Sequence, residues 1–500
     1  MMNAAARKQR RDQAEVTSGI YGEADFASLD DCEAAGLLDP NGLYLGTLDG
    51  EPLFFSGKSH LLTVAPARQG KGIGTVIPNL LHFQGAVIVT DPKGELAAVT
   101  AQHRAERFGQ KVVVLNPWGL NGLPQQRINP LQELIYLASD VTLQRGLTDK
   151  VKAIALQLLP EPEDQKNRFF REGSRTAIRF VLLALAMLHP ERCTLPEVWR
   201  VLANQRKLRE LGTKARESMV LGGVLSELAD DLLATMEDSP DQFADFRTGA
   251  VQALDVYAPG GYLADAVSGS GVDLADLKNG DVSVYLAFPQ ERIASHGAAL
   301  GLIVNEAISA VSRADGAGEV LFMLDEFANL GKLDGLAGNL TGLPGLGIRL
   351  WMVVQELAEL TRLYGPNTAK TILSQSEVQQ FFAVNDHDLA EKLSKRMGQR
   401  TVKTRSLNLG KSEDEDIGES LGETGQPLMR PEEIMQMDRS DQLIFAGGGK
   451  PIRAQRPPFW FVDPWQGWAE SNPVEGDYPK PKPLFSLRYG LNQRGENDDE

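Results

Sequence analysis

The sequence predicts an α/β protein, in which a mostly parallel sheet carries an inserted all-helical domain. Buried strands alternate with helices after His60, as in HLLTVA, GAVIVTDP and QKVVVLNP, and strands return after residue 280. Continuous apolar strands of this kind are typical of a parallel sheet covered by helices on both faces. Between these two regions the apolar residues follow a helical period almost without interruption.

Five regions follow from this pattern, and a chain of 500 residues exceeds what one compact core usually holds. An irregular N-terminal segment comes first, and the helical insertion divides the sheet domain into two parts. The last region is rich in Pro and Gly and is expected to be mostly disordered, although the aromatic stretch 457–468 should pack onto the domain. The expected boundaries are 1–55, 56–130, 131–279, 280–463 and 464–500.

The composition is that of a packed protein, with 42% hydrophobic and 24% charged residues. Acidic residues outnumber basic ones by 67 to 51, which gives a net charge of −16. This balance disfavours a protein whose general surface coats nucleic acid, because phosphate contacts need Lys and Arg, but it leaves room for a basic channel. The two cysteines, Cys32 and Cys193, exclude a disulfide framework and suggest a reducing compartment.

No segment has the pattern of a membrane-spanning helix. The longest uninterrupted apolar run, residues 180–188, is about half of the roughly 20 residues that such a helix needs. The basic start MMNAAARKQRRDQAEV is not followed by an apolar stretch, so it is not a signal peptide. We therefore expect a protein that is soluble or reaches a membrane only through a partner.

A glycine-containing loop, APARQGKG at residues 65–72, follows the first strand. The phosphate-binding pattern asks for Gly, four residues, Gly-Lys, and then Ser or Thr. Gly70 and Lys71 match it, whereas Ala65 and Gly72 do not. A loop that turns into a helix directs several N–H groups at one point, where Lys71 would add a full positive charge. The alternative is a Gly-rich turn with a solvated lysine, and this segment alone leaves both open.

Two adjacent carboxylates, Asp325 and Glu326, end the buried strand VLFML. Carboxylates are costly at the end of a core strand unless a cation compensates them. In a nucleotide site, Asp325 would hold Mg²⁺ and Glu326 would polarise the attacking water. An exposed turn is the alternative, and for the pair alone it is the commoner one.

Gln355 ends the next strand, and its amide could sense a terminal phosphate or orient water. The alternative is that Gln355 simply begins a helix. The loop, the acidic pair and this glutamine together are more specific than any one of them.

Four segments carry a resemblance to a known family: HLLTVAPARQGKGIGTVIPNLL, VIVTDPKGELAAVTAQHRAERFGQKVVVLNP, VLFMLDEFANLGKLDGL and WMVVQELAEL. They resemble the TraG/TraD-like coupling ATPases of conjugative type IV secretion systems. The likeness runs from about Tyr21 to Pro464, and its most specific parts are the DPKGE box at 91–95 and the LDEFANLGKL block at 324–333. It implies a RecA-like P-loop NTPase that bears an all-helical domain and forms a homo-hexamer at the cytoplasmic base of the secretion channel.

The same resemblance implies a function, namely that of an ATP hydrolase that uses ATP and Mg²⁺ to drive conjugative DNA transfer. Its partners would be a relaxase with single-stranded DNA, or protein substrates, together with subunits of the secretion channel. Many members begin with two transmembrane helices. This chain resembles the shorter members without that anchor, so we expect a cytoplasmic protein held at the inner membrane by a partner protein. Two alternatives stay open: a coupling ATPase for protein effectors, and a non-hydrolysing ATP-binding assembly hub.

The expected site residues follow from these motifs. Asp325 would organise Mg²⁺, Glu326 would act as the catalytic base, and Gln355 would sense or orient. The sequence GKG lacks the usual hydroxyl ligand after the lysine, so Mg²⁺ would need either a different hydroxyl, for which Thr75 is a candidate, or more water ligands. Phosphates would be bound by Ala67, Arg68, Gln69, Gly70, Lys71, Gly72, Ile73 and Gly74.

Four further residues remain without a settled role. Asp91 and Glu95 follow the second strand, which puts them on the ligand side of an open parallel sheet. Arg349 and Arg362 are near Gln355 in the chain and are expected on the motif side of the core, where either could stabilise the reaction across a subunit interface. Each arginine is more often a surface cation than such a group.

Overall fold

A computed structural model describes residues 17–161, 167–269, 271–333, 336–408 and 418–489. The chain divides into two compact units. The smaller comprises the chain up to Gly57 with Thr63–Thr75 and Glu377–Pro458, and the larger comprises Lys58–Leu62, Val76–Ser376 and the chain from Phe459 onward.

The strands of the described residues are β1 Leu43–Leu48, β2 Glu51–Phe55, β3 His60–Val64, β4 Ala86–Thr90, β5 Lys111–Leu115, β6 Val282–Leu286, β7 Val320–Leu324, β8 Ile348–Val354, β9 Ser376–Phe381, β10 Gln399–Asn408, β11 Gly418–Pro427, β12 Asp441–Ala446, β13 Ile452–Gln455, β14 Val462–Asp463 and β15 Phe485–Ser486.

The α-helices of the described residues are α1 Leu29–Ala34, α2 Ile77–His82, α3 Glu95–Arg107, α4 Gln132–Ser139, α5 Leu147–Leu158, α6 Arg168–Leu188, α7 Leu195–Ala203, α8 Gln205–Arg216, α9 Val224–Asp238, α10 Pro240–Ala253, α11 Tyr262–Ala266, α12 Gln290–Arg313, α13 Leu336–Asn339, α14 Leu357–Tyr364, α15 Pro366–Gln375, α16 His387–Met397, α17 Pro431–Met435 and α18 Trp465–Trp468.

In the larger unit the strand order is β3-β8-β7-β4-β6-β5, and the neighbours from β8 to β5 all pair in parallel. Every residue of β4, β6, β7 and β8 is buried. Both faces of these strands are therefore covered, as continuous apolar runs require. The predicted parallel α/β architecture is confirmed.

The smaller unit contains strands in the order β2-β1-β13-β12-β9, and these neighbours all pair antiparallel. The predicted hairpin at 441–455 is confirmed by the pairing of β12 with β13. The prediction that residues 1–55 are irregular is wrong for the part described, because α1, β1 and β2 lie there. Gly and Asp punctuation suggested loops, but in this segment it marks the ends of two short strands. They pair with each other, and β1 also pairs with β13 far along the chain.

The stretch 131–279 contains helices α4 to α11 and no strand among its described residues. It belongs to the same compact unit as the parallel sheet, so the structure does not set it apart as a body of its own. On α5, the Lys150 Nζ contacts carboxylate oxygens of Glu133 on α4 at 2.7 Å and of Glu306 on α12 at 2.9 Å. Independent folding of the helical block stays a prediction.

Among the described residues, α12 alone is long and apolar enough to cross a membrane by length and composition. Two thirds of its apolar window, 67%, is buried inside the protein. Its apolar residues, among them Leu300, Ile303 and Val304, are core residues of the larger unit.

The prediction that the segment from residue 464 is mostly disordered is wrong for the part described. Trp465 is fully buried, and its Nε1 donates to the Tyr489 hydroxyl at 2.6 Å. Trp468 stacks on His103, with ring centroids 4.7 Å apart. The Pro and Gly content suggested disorder, but aromatic rings bury enough area to hold such a segment in place.

Candidate active site

The glycine-containing loop lies in the smaller unit and connects β3 to one π-helical turn, Gly72–Val76, before α2. Arg68 and Gly70 both have left-handed backbone, with φ of 60° and 76°. The Gly74 N–H donates to the Gly70 carbonyl at 2.9 Å, which closes the loop onto the start of the turn. Single π-helical turns occur often at functional sites. The predicted loop-to-helix junction is therefore present.

The expected phosphate-binding residues differ in exposure along this loop. Ala67 and Arg68 are exposed, Lys71 is half-buried, and Gly74 is buried. Thr75 is almost fully buried, with 1% of its surface exposed. The role of Thr75 as a metal ligand stays a prediction.

The smaller unit also holds a loop contact that sequence reasoning missed. Arg456, directly after β13, donates to the carbonyl oxygens of Gln69 at 3.1 Å, Gly70 at 3.2 Å and Arg439 at 2.8 Å. Its guanidinium carbon lies 3.6 Å from the centroid of the Phe382 ring. Burial lowers the pKa of Arg456 to about 10, so the side chain stays charged at neutral pH. No local pattern distinguishes this arginine, because its partners lie far away in the chain.

In the larger unit, the predicted acidic pair, Asp325 and Glu326, directly follows β7. The Asp325 carbonyl accepts a hydrogen bond from the Thr90 hydroxyl at 2.7 Å, and Thr90 ends the neighbouring strand β4. Glu326 has left-handed backbone, with φ 54° and ψ 46°. Non-glycine residues rarely hold this conformation, and it is concentrated at functional sites.

Glu326 and Gln355 are brought together, as the ends of neighbouring parallel strands predict. The Gln355 Nε2 donates to the Glu326 Oε2 at 2.8 Å. The Gln355 backbone N–H donates to the Glu359 carboxylate at 3.1 Å. Burial raises the pKa of Glu359, and the nearby Glu326 carboxylate adds to that shift. Glu359, which sequence reasoning missed, fixes the peptide group that carries the Gln355 side chain.

Asp91 has a structural role that the sequence left unassigned. Its Oδ2 accepts the Ala97 N–H at 2.9 Å, which satisfies one of the unpaired donors in the first turn of α3. Burial raises the pKa of Asp91 to about 6, backbone N–H groups oppose the shift, and the Asp325 carboxylate adds to it. Glu95 forms an ion pair with Lys93, with nitrogen and oxygen 3.5 Å apart.

The two arginines considered for a role across an interface are in different settings. Arg349 is 5% exposed, and its Nη2 donates to Glu319 at 2.9 Å. The expected placement of Arg349 on the motif side is wrong, because it lies near the amino end of β8 whereas Gln355 follows the carboxyl end. Arg362 is exposed on α14. Of the two arginines, Arg362 is therefore the exposed one.

A magnesium ion fits the donors at the end of β7. No group of three or more His, Cys, Asp or Glu side chains among the described residues could enclose a metal. Mg²⁺ does not need such a cage, because it is usually bound through one or two carboxylates, substrate phosphates and water. Asp325 supplies a carboxylate of this kind.

These features define a class of protein. The parallel sheet, the phosphate-loop type of turn after β3, and the acidic pair and glutamine after β7 and β8 are the elements of a RecA-like P-loop NTPase.

The chain belongs to the family described as Type IV secretory system conjugative DNA transfer, whose model matches residues 16–482. Protein VirD4 of Rhizobium radiobacter is 26% identical over 492 residues, which cover 95% of this chain and 68% of that protein. The conjugal transfer protein TraG of Escherichia coli is 26% identical over 520 residues, which cover 92% of this chain and 79% of that protein. The chain thus spans about two thirds of the length of the VirD4 relatives.

Solved structures show the same fold. The bacterial conjugative coupling protein TrwBdeltaN70, in its unbound monoclinic form, superposes with a TM-score of 0.63 at 15% identity and covers 87% of this chain and 93% of that one. Plasmid coupling protein TrwB in complex with ADP and Mg²⁺ gives a TM-score of 0.63 at 16% identity, with 89% and 97% covered. The resemblance to TraG/TraD-like coupling proteins is confirmed.

Proposed function

We propose that this chain is the coupling ATPase of a conjugative type IV secretion system. It recruits a relaxase–DNA complex to the secretion channel and drives transfer by hydrolysing ATP with Mg²⁺. The observation that carries the proposal is the hydrogen bond between Gln355 and Glu326, because it places a polar amide on a carboxylate that ends a core strand. Family membership supplies the context of conjugative DNA transfer.

Each site residue has a role in this proposal. Lys71 and the N–H groups of residues 67–74 bind the phosphates, as charge-assisted donors do. Asp325 would hold Mg²⁺, which when bound would supply positive charge that offsets charge on the phosphates. Glu326 accepts a proton from the attacking water, and the Gln355 amide holds that carboxylate in position.

The relatives support the nucleotide and the metal. TrwB has been solved in complex with the non-hydrolysable ATP analogue ADPNP, and also with ADP and Mg²⁺. We extend both ligands to this chain. Further parts of the proposal are a homo-hexamer, contacts with subunits of the secretion channel, and a cytoplasmic protein docked on the inner membrane by a partner.

Steady-state ATP hydrolysis by the purified chain and by Glu326→Gln tests the proposal. Loss of a general base lowers turnover by about 10²- to 10⁴-fold, and nucleotide binding should persist. Glu356→Gln is the matched control, since Glu356 is exposed next to Gln355 and its side chain forms no cap hydrogen bond. Equal turnover by Glu326→Gln and the control would contradict the assignment.

The same assay separates the alternatives. A wild-type chain that binds ATP but does not hydrolyse it, with or without DNA, would favour the assembly hub. Hydrolysis that single-stranded DNA stimulates favours DNA as the substrate. Stimulation by a secreted protein alone would favour protein effectors.

A further inference from the structure

Arg456 stands out among the buried charged groups of the smaller unit because three of its contacts are carbonyl oxygens, two of them in the glycine-containing loop. It is 5% exposed. Arg453 on the same segment instead pairs with the Asp441 carboxylate, and about half of its side chain is exposed. Arg456 is thus bonded to backbone rather than to an acidic partner.

By binding carbonyl oxygens of the loop, Arg456 also fixes the direction in which the loop N–H groups point. In a trans peptide the C=O and the following N–H point in opposite directions within one plane. Arg456 donates to the carbonyl oxygens of Gln69 and Gly70 on its own side of the loop, so the N–H groups of Gly70 and Lys71 point away from it. Successive N–H groups that point to one side form an anion-binding concavity.

We propose that Arg456 is a positioning residue for the phosphate-binding loop, which it holds with the Gly70 and Lys71 N–H groups turned toward the nucleotide phosphates. This inference rests on the proposed function, since it needs the loop to bind phosphate. Arg456 touches no phosphate itself. It acts from the opposite side of the loop through the two carbonyl oxygens.

The side chain suits this role for a geometric reason. A guanidinium presents five donors in a planar fork, so one group can bind several carbonyl oxygens at fixed angles. Phe382 covers one face of that plane. A Cβ at Gly74 would lie 3.2 Å from Nη1, so the start of the π-helical turn packs closely against the same group. A lysine could reach one carbonyl oxygen, but its single ammonium nitrogen could not bind several carbonyl oxygens at fixed angles.

The test compares Arg456→Lys with Arg453→Lys, which makes the same change on the exposed neighbour. The affinity of each folded protein for a fluorescent ATP analogue is titrated well below its melting temperature. We expect Arg456→Lys to weaken binding by about tenfold or more, since hydrogen bonds to charged groups are of that size, and Arg453→Lys to match wild type. Hydrogen exchange of the loop amides, without nucleotide, should be faster in Arg456→Lys alone.

Lys71→Ala in the same titration separates this inference from the function on which it rests. If wild type does not bind the analogue, or Lys71→Ala binds it as wild type does, the phosphate-loop assignment itself fails. If Lys71→Ala loses binding while folded Arg456→Lys keeps wild-type affinity and loop exchange, the positioning role of Arg456 is overturned. Should Arg456→Lys not fold, Gly74→Ala crowds the same guanidinium, with a Cβ 3.2 Å from Nη1, and unchanged affinity together with unchanged loop exchange in that variant overturns the role.

Discussion

The side-chain amide of Gln355 donates a hydrogen bond of 2.8 Å to the carboxylate of Glu326, across the carboxyl ends of β8 and β7. Gln355 is also held by Glu359 through its backbone N–H. The glutamine therefore connects the proposed base to the first turn of α14. A role in holding the base predicts effects on turnover rather than on nucleotide affinity.

Gln355→Ala should lower kcat for ATP hydrolysis by about 10- to 100-fold, because one hydrogen bond to a charged group is lost. Nucleotide affinity, measured by titration, should stay within about threefold, since the contact is made to Glu326 and not to a phosphate. Gln102→Ala is the matched control, because Gln102 donates to Glu106 at 3.0 Å on the exposed face of α3. A drop in affinity equal to the drop in kcat would contradict this prediction.

Lys71→Ala should abolish nucleotide binding and leave the protein folded. The lost contact is charge-assisted and is worth on the order of 2–3 kcal/mol. Titration with a fluorescent ATP analogue measures the affinity, and thermal unfolding followed by circular dichroism checks the fold. Lys152→Ala, at an exposed position on α5, should bind as wild type does. Unchanged affinity in Lys71→Ala would remove the phosphate-loop assignment.

Glu306 predicts a pH dependence of stability. Burial raises the pKa of Glu306 to about 7, Lys150 opposes this, and Glu133 adds to it. Between its ordinary value of 4.5 and about 7, the folded chain holds the proton more tightly than the unfolded chain does. Stability therefore falls as pH rises through this window, and the unfavourable contribution is fully present only above it.

Glu306→Gln removes that contribution and leaves Lys150 paired with Glu133. Urea unfolding at pH 5 and pH 7.5 measures the free energy of unfolding of both proteins. The stability of the variant relative to wild type should increase by more than about 1 kcal/mol between the two pH values. Asp149→Asn, an exposed carboxylate on α5, is the control and should follow wild type. A constant difference between Glu306→Gln and wild type at both pH values would show that Glu306 does not titrate in this window.

We propose that turnover is shared between subunits, with the exposed Arg362 acting across an interface. Mixing Lys71→Ala chains with Arg362→Ala chains should restore part of the ATPase activity, since some interfaces then combine an intact site with an intact arginine. Specific activity of the wild type should also rise with protein concentration. Mixing Lys71→Ala with Glu326→Gln is the control, because every site then lacks one residue. Flat specific activity and no recovery in the first mixture would count against a shared site.

Much of the larger unit and of its site could be predicted from local sequence. The strands β4, β7 and β8 are short apolar runs, and their ends fix where Asp325, Glu326 and Gln355 lie. Neighbouring parallel strands end at the same edge of a sheet, so the contact between Glu326 and Gln355 follows from strand order.

The smaller unit could be predicted less well, because its contacts join distant parts of the chain. β1 pairs with β13 through Thr47 and Gln455, and Arg456 reaches back to Gly70. The sequence around Arg456, RAQRPP, has no pattern that distinguishes it from a surface cation. Glu359 was missed for a different reason, since a carboxylate in the first turn of a helix usually acts only as a cap.

The left-handed backbone at Glu326 lowers the stability of the protein at the residue that we propose as the catalytic base. A side chain held at positive φ costs on the order of 1 kcal/mol or more, and glycine would relieve that cost. Selection for thermostability alone would therefore favour replacement of the very residue that we propose as the base. The proposed base would thus hold its place for chemistry at the expense of stability.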